Sequence, residues 1–184
     1  MESRSDRLRR LLAPLHDGAR SFARGLCKSR SDGDDLFQEA VLRAFDNLDA
    51  LRDDGAFRIW LYRIVVSVHR NRCRSAFWRR LVPFGERAGD DDVAATGGYR
   101  ASGWTPEAAE AARRARAALA RLPAVQREAI VLFEIEGWRV EDIAVLQGVS
   151  ASAIKSRLAR GRERMRAHYE HDAAGTPVPA EEIT

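Results

Sequence analysis

The sequence predicts an all-α fold: two small helical modules joined by a flexible linker, the second containing a helix-turn-helix. Apolar residues recur at helical spacing over most of the 184 residues, and the alternation typical of strands is nearly absent. The periodicity stops between residues 82 and 105, a stretch that holds Pro83, five glycines and the run Asp90-Asp91-Asp92. We therefore expect modules over 1–81 and 106–169, a flexible linker over 82–105 and a disordered tail over 170–184.

The first module is expected to contain three helices. The first has an apolar face made of Leu8, Leu11, Leu12, Leu15, Ala19, Phe22 and Ala23. A break at 29–33 precedes a second helix, which starts at Asp34 and Asp35 because acidic residues favour helix N-termini. After a turn at 53–55, a long helix over 57–79 has the core face Phe57, Trp60, Leu61, Ile64, Val65 and Val68.

The second module is expected to contain four helices, over 107–121, 124–136, 140–147 and 150–168. Thr105 and Pro106 suit the N-cap and the first position of the first of these helices. Residues 140–158 fit a helix-turn-helix, with Gly148 at the left-handed turn position and Ser150 as the next N-cap. The residues expected inside it are Ile143, Ala144, Val149, Ile154 and Leu158.

The last helix is strongly basic, with one lysine and five arginines against the single acid Glu163 over 155–166. The N-terminal residues of such a helix reach base edges in the major groove, and arginine can bind guanine in a bidentate manner. The alternative is a solvated basic helix in a structural bundle, which the helix-turn-helix spacing disfavours. The predicted contacts to duplex DNA are Ser152, Lys155, Ser156, Arg157, Arg160 and Arg164.

The long helix of the first module is also basic. Residues 55–80 contain seven arginines and no acid, interleaved with aromatic residues. Basic groups attract phosphate, and aromatic faces can stack on unpaired bases. Trp60 lies on the core face, whereas Tyr62 lies off it. We expect the opposite face of this helix to form a surface that separates DNA strands. That face carries Arg63, Arg70, Asn71 and Arg74.

Composition excludes several other classes of protein. No apolar run is long enough to span a membrane and no signal peptide is evident, so we expect a cytoplasmic protein. Cys27 and Cys73 are too few for a disulfide scaffold and are expected to be buried structural residues. We expect solvated histidines and predict no catalytic residues, metal site, cofactor or small-molecule substrate; the histidines are His16, His69, His168 and His171.

Two separate blocks of sequence resemble a bacterial RNA polymerase sigma factor. The first is DDLFQEAVLRAFDNLDAL followed by FRIWLYRI, and the second is LPAVQREAIVLFEIEGWRVEDIAVLQGVSASAIKSRLARGRERMR. Together they cover most of residues 6–168. The resemblance is to the extracytoplasmic-function (ECF) group, which keeps only regions 2 and 4 of the sigma-70 family.

The resemblance implies three contact surfaces. One docks on the clamp helices of the polymerase β′ subunit, and its residues are Asp35, Gln38, Glu39, Arg43 and Phe45. A second recognises and melts the −10 element, with Arg52, Asp53, Trp60 and Tyr62 beside the basic face Arg63, Arg70, Asn71 and Arg74. The helix over 150–168 matches the reader of the −35 element. The β flap, promoter DNA and an anti-sigma factor, which could hold the protein at the inner membrane, are the other implied partners.

The sequence departs from the family near the −10 surface. Family members often have Asn where this chain has Ser67, and Asp where it has Asn71. The promoter sequence therefore cannot be transferred from a relative. Three alternatives stay open: a dimeric helix-turn-helix transcription factor, which would bind a palindrome by itself; a nuclease, for which the only dense acidic run lies in the linker; and an interaction module, which would leave the basic helix unexplained.

Overall fold

The computed structural model describes residues 2–81 and 105–173, and every regular element in those two ranges is a helix. The chain divides into two compact units, Met1–Tyr99 and Arg100–Thr184. The prediction of an all-α protein with two helical modules is confirmed. The predicted linker, apart from Thr105, and the predicted tail beyond residue 173 lie outside the described residues.

The first unit contains four α-helices. They are α1 (Arg4–Leu12), α2 (His16–Leu26), α3 (Arg30–Asp46) and α4 (Phe57–Leu81). Short 3-10 turns lie at Ala13–Leu15, Leu48–Ala50 and Asp54–Ala56. The largest fully buried side chains of this unit are Phe22, Leu26, Leu36, Leu48, Phe57, Leu61, Val65 and Val68. Trp60 and Ile64, which were also predicted on the core face, are only half-buried.

The N-terminal segment differs from the single helix that its apolar spacing predicts. It forms α1 and α2 with a 3-10 turn at Ala13–Leu15 between them. Pro14 lies in that turn, and proline has no N–H to donate to the preceding turn of a helix. Helix α1 packs against α3, and α2 packs against both α3 and α4.

Helix α3, which corresponds to the second predicted helix, begins four residues before the predicted start at Asp34. Ser29 is its N-cap, and the Ser29 hydroxyl accepts a hydrogen bond from the Asp32 N–H at 3.0 Å. Gly33 is buried inside the first turns, where a Cβ atom would lie 2.5 Å from the Cα of Arg24. This glycine is therefore a close contact between α2 and α3, not a break. Asp34 accepts hydrogen bonds from Arg20 and Arg24 and so links the two helices.

The second unit contains α5 (Pro106–Ala120), α6 (Ala124–Ile130), a π-helical segment (Val131–Ile135), α7 (Val140–Gln147) and α8 (Ala151–Ala173). The four predicted helices are thus confirmed, although the π-helical end of the second was not foreseen. Thr105 caps α5 and Pro106 is its first residue, as predicted. The last helix extends to Ala173, so residues 170–173 of the predicted disordered tail are helical.

The helix-turn-helix of α7 and α8 has the predicted geometry. Gly148 has φ +65°, the left-handed conformation that glycine adopts without a Cβ penalty. The Ser150 hydroxyl accepts a hydrogen bond from the Ala153 N–H at 3.2 Å, which caps α8. Ile143 and Ile154 are fully buried, whereas Val149 is half-buried. These contacts fix α8 against α6 and α7 and leave its other face exposed.

Candidate nucleic-acid interface

The N-terminal half of α8 presents a polar and basic face to solvent. Five of its six predicted DNA contacts are exposed: Ser152, Lys155, Ser156, Arg160 and Arg164. The apolar residues Ile154 and Leu158 hold the opposite face of the helix in the core. The arrangement suits insertion of the start of α8 into a major groove.

Arg157, the sixth predicted contact, is half-buried and belongs to a chain of polar side chains. Its Nη1 donates to Gln147 Oε1 at 2.5 Å. Gln147 Nε2 in turn donates to Glu128 Oε2 at 3.0 Å and to the Val125 carbonyl at 3.1 Å. Because Glu128 has no exposed surface, this chain anchors Arg157 to the interior of the unit. No local signal in the sequence indicates this connection, since its three side chains are 10 to 29 residues apart along the chain.

Two further arginines of α8 are held by α6 and the π-helical segment. Arg164 Nη1 donates to Gln126 Oε1 at 3.2 Å. Arg162 pairs with Glu134 at 2.6 Å, and its guanidinium lies 5.5 Å from the centroid of the Phe133 ring. These contacts restrict the orientation of α8, so the basic face is presented by a supported helix.

In the first unit, α4 has the predicted basic face. Arg63, Arg70, Asn71 and Arg74 are all exposed. Arg74 Nη2 donates to Asn71 Oδ1 at 3.1 Å, which places this amide and guanidinium together. The face is therefore accessible to a phosphate backbone along several turns of the helix.

Tyr62 does not lie on that face. Its side chain is 2% exposed, and its ring packs at 5.1 Å between centroids against Phe22 of α2. The prediction that Tyr62 contacts DNA therefore does not fit the structure, because its side chain points into the core. The helical periodicity placed Tyr62 outside the core because the predicted apolar stripe of α4 is narrower than the face that the helix actually buries.

A concavity of about 300 Å³ lies where the end of α3 meets α4. Trp60 forms part of its wall, and the remaining lining residues are Arg43, Asn47, Ala50, Ile64 and Ser67. It combines an aromatic ring and a guanidinium with the amide and hydroxyl of Asn47 and Ser67. These groups could stack on and hydrogen-bond to a planar polar molecule such as a nucleobase.

The loop between α3 and α4, residues 47–56, is fixed to α1 by ion pairs. Arg7 donates to Asp54 Oδ1 from Nε at 3.0 Å and from Nη2 at 2.6 Å, and Nη2 also donates to the Leu51 carbonyl at 3.0 Å. Arg10 Nη2 donates to Asp54 Oδ2 at 2.9 Å, and Arg4 pairs with Asp49. The hydrogen bonds from Arg10 and Arg7 lower the pKa of the Asp54 carboxyl. No local sequence signal indicated these pairs, since more than 40 residues separate their partners.

The other two predicted residues of this loop stay in the candidate site. Arg52 and Asp53 are both exposed. Asp53 Oδ1 accepts a hydrogen bond from the Gly55 N–H at 2.9 Å and so caps the 3-10 turn before α4. Asp53 thereby helps to set the direction in which α4 begins.

The residues predicted to dock on the polymerase lie along α3, and Asp35, Gln38 and Arg43 are exposed. Glu39 is less free, because it pairs with Arg43 at 2.7 Å and with Arg72 of α4 at 2.6 Å. Phe45 is half-buried, with the Arg4 guanidinium 5.8 Å from its ring centroid. Leu42, which was not among the predicted docking residues, is 65% exposed and lies on the same helix face.

The cysteines and histidines differ from expectation. Cys73 is exposed rather than buried, and Cys27 is half-buried. His69 is 5% exposed rather than solvated, and its Nε2 lies 3.6 Å from Cys73 Sγ. Both departures follow from the position of α4, which buries residue 69 and leaves residue 73, one turn later, at the surface.

Among the helices of residues 2–81 and 105–173, none combines the length and the apolar composition that a membrane-spanning segment needs. Within the same ranges, no group of three or more histidine, cysteine, aspartate or glutamate side chains could hold a metal ion.

Comparison with protein families matches both units separately. The family described as Sigma-70 region 2 matches residues 11–79, and Sigma-70 region 4 matches residues 112–165. The first match covers α2, α3 and most of α4, and the second covers the helix-turn-helix.

Individual proteins are similar over both regions. The chain is 33% identical to the ECF RNA polymerase sigma factor SigM of Mycobacterium tuberculosis, over 82% of this chain and 70% of SigM. It is 33% identical to EcfG of Rhodopseudomonas palustris, over 92% of this chain and 89% of EcfG. Among solved structures, the sigma factor RpoE of Bartonella quintana in complex with the anti-sigma factor NepR is similar, with a TM-score of 0.62 and 27% identity over 89% of this chain and 97% of RpoE.

Proposed function

Because the chain belongs to the ECF group of bacterial RNA polymerase sigma factors, we propose that its two units contact the −10 and −35 promoter elements through the surfaces described above. It is a sigma factor that binds core RNA polymerase, recognises promoter DNA and initiates transcription. The observation that carries the assignment of surfaces is the exposed basic face of α8. This face belongs to the second helix of the helix-turn-helix, in the unit that matches region 4.

The −35 surface is the start of α8. Ser152, Lys155 and Ser156 lie in its first turns, where side chains reach base edges. Arg160 and Arg164 follow along the helix and suit phosphate contacts. Arg157 has one guanidinium nitrogen bonded to Gln147, so its orientation is fixed before DNA binds. A fixed arginine loses less conformational entropy on binding than a mobile one.

The −10 surface combines the basic face of α4 with the concavity around Trp60. Melting exposes unpaired bases, and a pocket that stacks on a flipped base offsets the unstacking cost of a few kcal/mol. Trp60 provides a planar ring for this stacking. The phosphates of the displaced strand would follow Arg63, Arg70 and Arg74 along α4.

The polymerase-docking surface is the exposed face of α3. Asp35, Gln38, Glu39 and Arg43 supply charged and polar contacts, and Leu42 adds an apolar one at the centre of the same face. Phe45 is half-buried and supports the end of the helix more than it offers a free surface. A partner bound here would bury the exposed apolar surface of Leu42, which is favourable.

Control by an anti-sigma factor is part of the proposal. The RpoE structure from Bartonella quintana contains NepR, and a structure of CnrH, similar at a TM-score of 0.61 and 25% identity, contains the cytosolic domain of CnrY. An anti-sigma partner that covers Leu42 and its neighbours would compete with the polymerase for α3. We further propose that the chain has no catalytic activity and acts in the cytoplasm beside the polymerase, which performs the chemistry.

Run-off transcription with purified core polymerase and a pool of promoter fragments tests the proposal. We expect discrete transcripts only when this protein is added, and their start sites would define the −35 and −10 sequences. The assignment would be overturned if the protein neither bound core polymerase nor produced transcripts but footprinted a palindrome by itself. That result would indicate a dimeric transcription factor.

Variants of α8 test the assignment of the −35 surface. Lys155→Gln and Arg160→Gln should each reduce initiation from a −35-dependent promoter by roughly tenfold, because each removes one charged DNA contact. Arg113→Gln is the matched control, since Arg113 is an exposed arginine of the same unit that pairs with Glu110 on α5. Equal effects of all three substitutions would argue against a reading role for α8.

A further inference from the structure

We propose that helix α1 positions the promoter-recognition loop, residues 47–56, through Arg4, Arg7 and Arg10. The inference rests on the proposed role of that loop at the −10 element. This role requires no contact between α1 and either DNA or polymerase. Helix α1 holds the loop in the shape that reads the promoter and neutralises negative charge of the loop.

The hydrogen-bond geometry fixes the loop at its middle and at its end. The two oxygens of Asp54 are taken by different arginines, Oδ1 by Arg7 and Oδ2 by Arg10. The same Arg7 guanidinium also binds the carbonyl of Leu51, whose side chain is buried. A carboxylate and a carbonyl held by one planar fork cannot rotate independently, so the backbone between residues 51 and 54 is restrained.

This restraint acts on the residues that face DNA. Arg52 and Asp53 lie between the two anchored positions and are exposed. Asp54 begins the 3-10 turn that leads into α4, so its orientation also sets the entry of the helix that carries Trp60. Positioning at these points is transmitted directly to the candidate −10 surface.

The arginines also change the charge of the loop. Residues 47–56 contain Asp49, Asp53 and Asp54 but only one basic residue, Arg52. Three carboxylates beside a phosphate backbone would repel DNA. Arg4 pairs with Asp49, Arg7 pairs with Asp54, and Arg10 pairs with both Asp54 and Glu2, which leaves Arg52 and Asp53 as the charged residues of the loop outside these ion pairs. The spacing of three residues places all three arginines on one side of α1.

The match to Sigma-70 region 2 begins at residue 11, after all three arginines. Arg9 lies between them on α1 but pairs only locally, with Asp6 at 2.8 Å. It therefore offers a control of the same residue type in the same helix.

The test is transcription by the full-length protein with core polymerase, on a promoter identified with the wild type and on derivatives with single-base changes in the −10 or −35 element. The double variant R7Q/R10Q should lose discrimination between the native and altered −10 elements by roughly tenfold, because the loop is no longer restrained. Discrimination at −35 and affinity for core polymerase should not change. Arg9→Gln should match the wild type in every measurement.

Asp54→Asn provides the second variant, since it removes the negative charge and one of the two acceptor oxygens without altering α1. If the arginines act through Asp54, D54N should reproduce the loss of −10 discrimination. The triple variant R7Q/R10Q/D54N should lose no more discrimination than R7Q/R10Q or D54N does separately. If R7Q/R10Q retained −10 discrimination, this inference would be overturned while the proposed function would stand. An equal loss of discrimination at −10 and −35 would also overturn it, because that result would indicate a role in folding only. Absence of promoter-dependent transcripts with the wild type would overturn the proposed function and this inference together.

Discussion

The two helical units hold their candidate DNA surfaces by different means. In the first unit, arginine–carboxylate pairs at the surface join the elements: Arg20 and Arg24 bind Asp34 between α2 and α3, and Arg72 binds Glu39 between α3 and α4. In the second unit, the interior chain of Glu128, Gln147 and Arg157 connects α6, α7 and α8. The links of the first unit are partly exposed ion pairs, whereas the chain of the second unit ends at a fully buried carboxylate.

This difference has physical consequences for each unit. Ions screen exposed charge pairs, so the links of the first unit weaken at high salt and at acid pH. A buried hydrogen bond is not screened, but loss of one partner leaves the other without water or protein to bind. The first unit should therefore respond gradually to solution conditions, and the second should respond sharply to single substitutions.

Glu128→Ala should have the largest effect on stability. It removes the carboxylate that accepts from Gln147 and leaves a cavity in a fully buried position. We expect a loss of about 3 kcal/mol in the free energy of unfolding of the second unit. Urea denaturation followed by NMR signals from α6 to α8 measures this loss.

Glu128→Gln is the matched control for that substitution, because it keeps the volume and an acceptor for Gln147. It should cost less than half as much. Equal losses for the two variants would show that volume and hydrogen bonding do not explain the role of Glu128. Unchanged NMR signals from α2 to α4 in both variants would confine the effect to the second unit.

Replacement of one close-contact glycine in each unit by alanine gives the next largest effect. In Gly33→Ala the new Cβ would lie 2.5 Å from the Arg24 Cα, and backbone atoms cannot move aside without separating α2 from α3. In Gly161→Ala the new Cβ would lie 2.9 Å from Ile130 Cγ1, which is a side-chain atom and not part of the backbone. We expect losses of about 2 kcal/mol for G33A and about 1 kcal/mol for G161A.

Thermal denaturation of the two glycine variants and of Gly33→Ser would check this order. Serine adds the same Cβ and should be no better tolerated than alanine at position 33. If G33A were as stable as the wild type, α2 and α3 could separate without loss, and the close approach of these helices would not matter for stability.

The pH dependence of the first unit should show an effect no larger than that of Gly33→Ala. Arg24 and then Arg20 hold the pKa of the Asp34 carboxyl well below its ordinary value of 3.8. Between the two pKa values the unfolded chain binds more protons, so this contribution to stability is present above the unfolded pKa and is lost as the pH falls toward the folded one. Asp34→Asn should cost about 1–2 kcal/mol at neutral pH, and this difference should shrink below about pH 4.

Urea denaturation at several pH values, followed by NMR signals from α2 and α3, would measure that difference. Asp46→Asn, an exposed carboxylate on the same helix, is the control and should show no comparable pH dependence relative to the wild type. A constant difference between wild type and D34N from neutral to acid pH would contradict a role for Asp34 as a charged partner of Arg24.

Local sequence signals predicted the parts of the fold that depend on neighbouring residues. The helices of the second unit, the left-handed Gly148 and the Ser150 cap all follow from preferences that act within a few positions of the chain. The exposed faces of α4 and α8 were equally predictable, because charge and apolar spacing alternate with the helical period. The same signals misjudged Gly33, whose role depends on a residue of another helix.

The sequence by itself determined the fold class, the helix-turn-helix and the residues that form the basic surfaces. Only the tertiary structure decided which of those residues are held and by what: Tyr62 in the core, Arg157 by Gln147, and the loop over residues 47–56 by α1. The physical reason is range. Helix propensity, capping and periodicity act over one or two turns, whereas these contacts join positions that are far apart along the chain and meet only when helices pack.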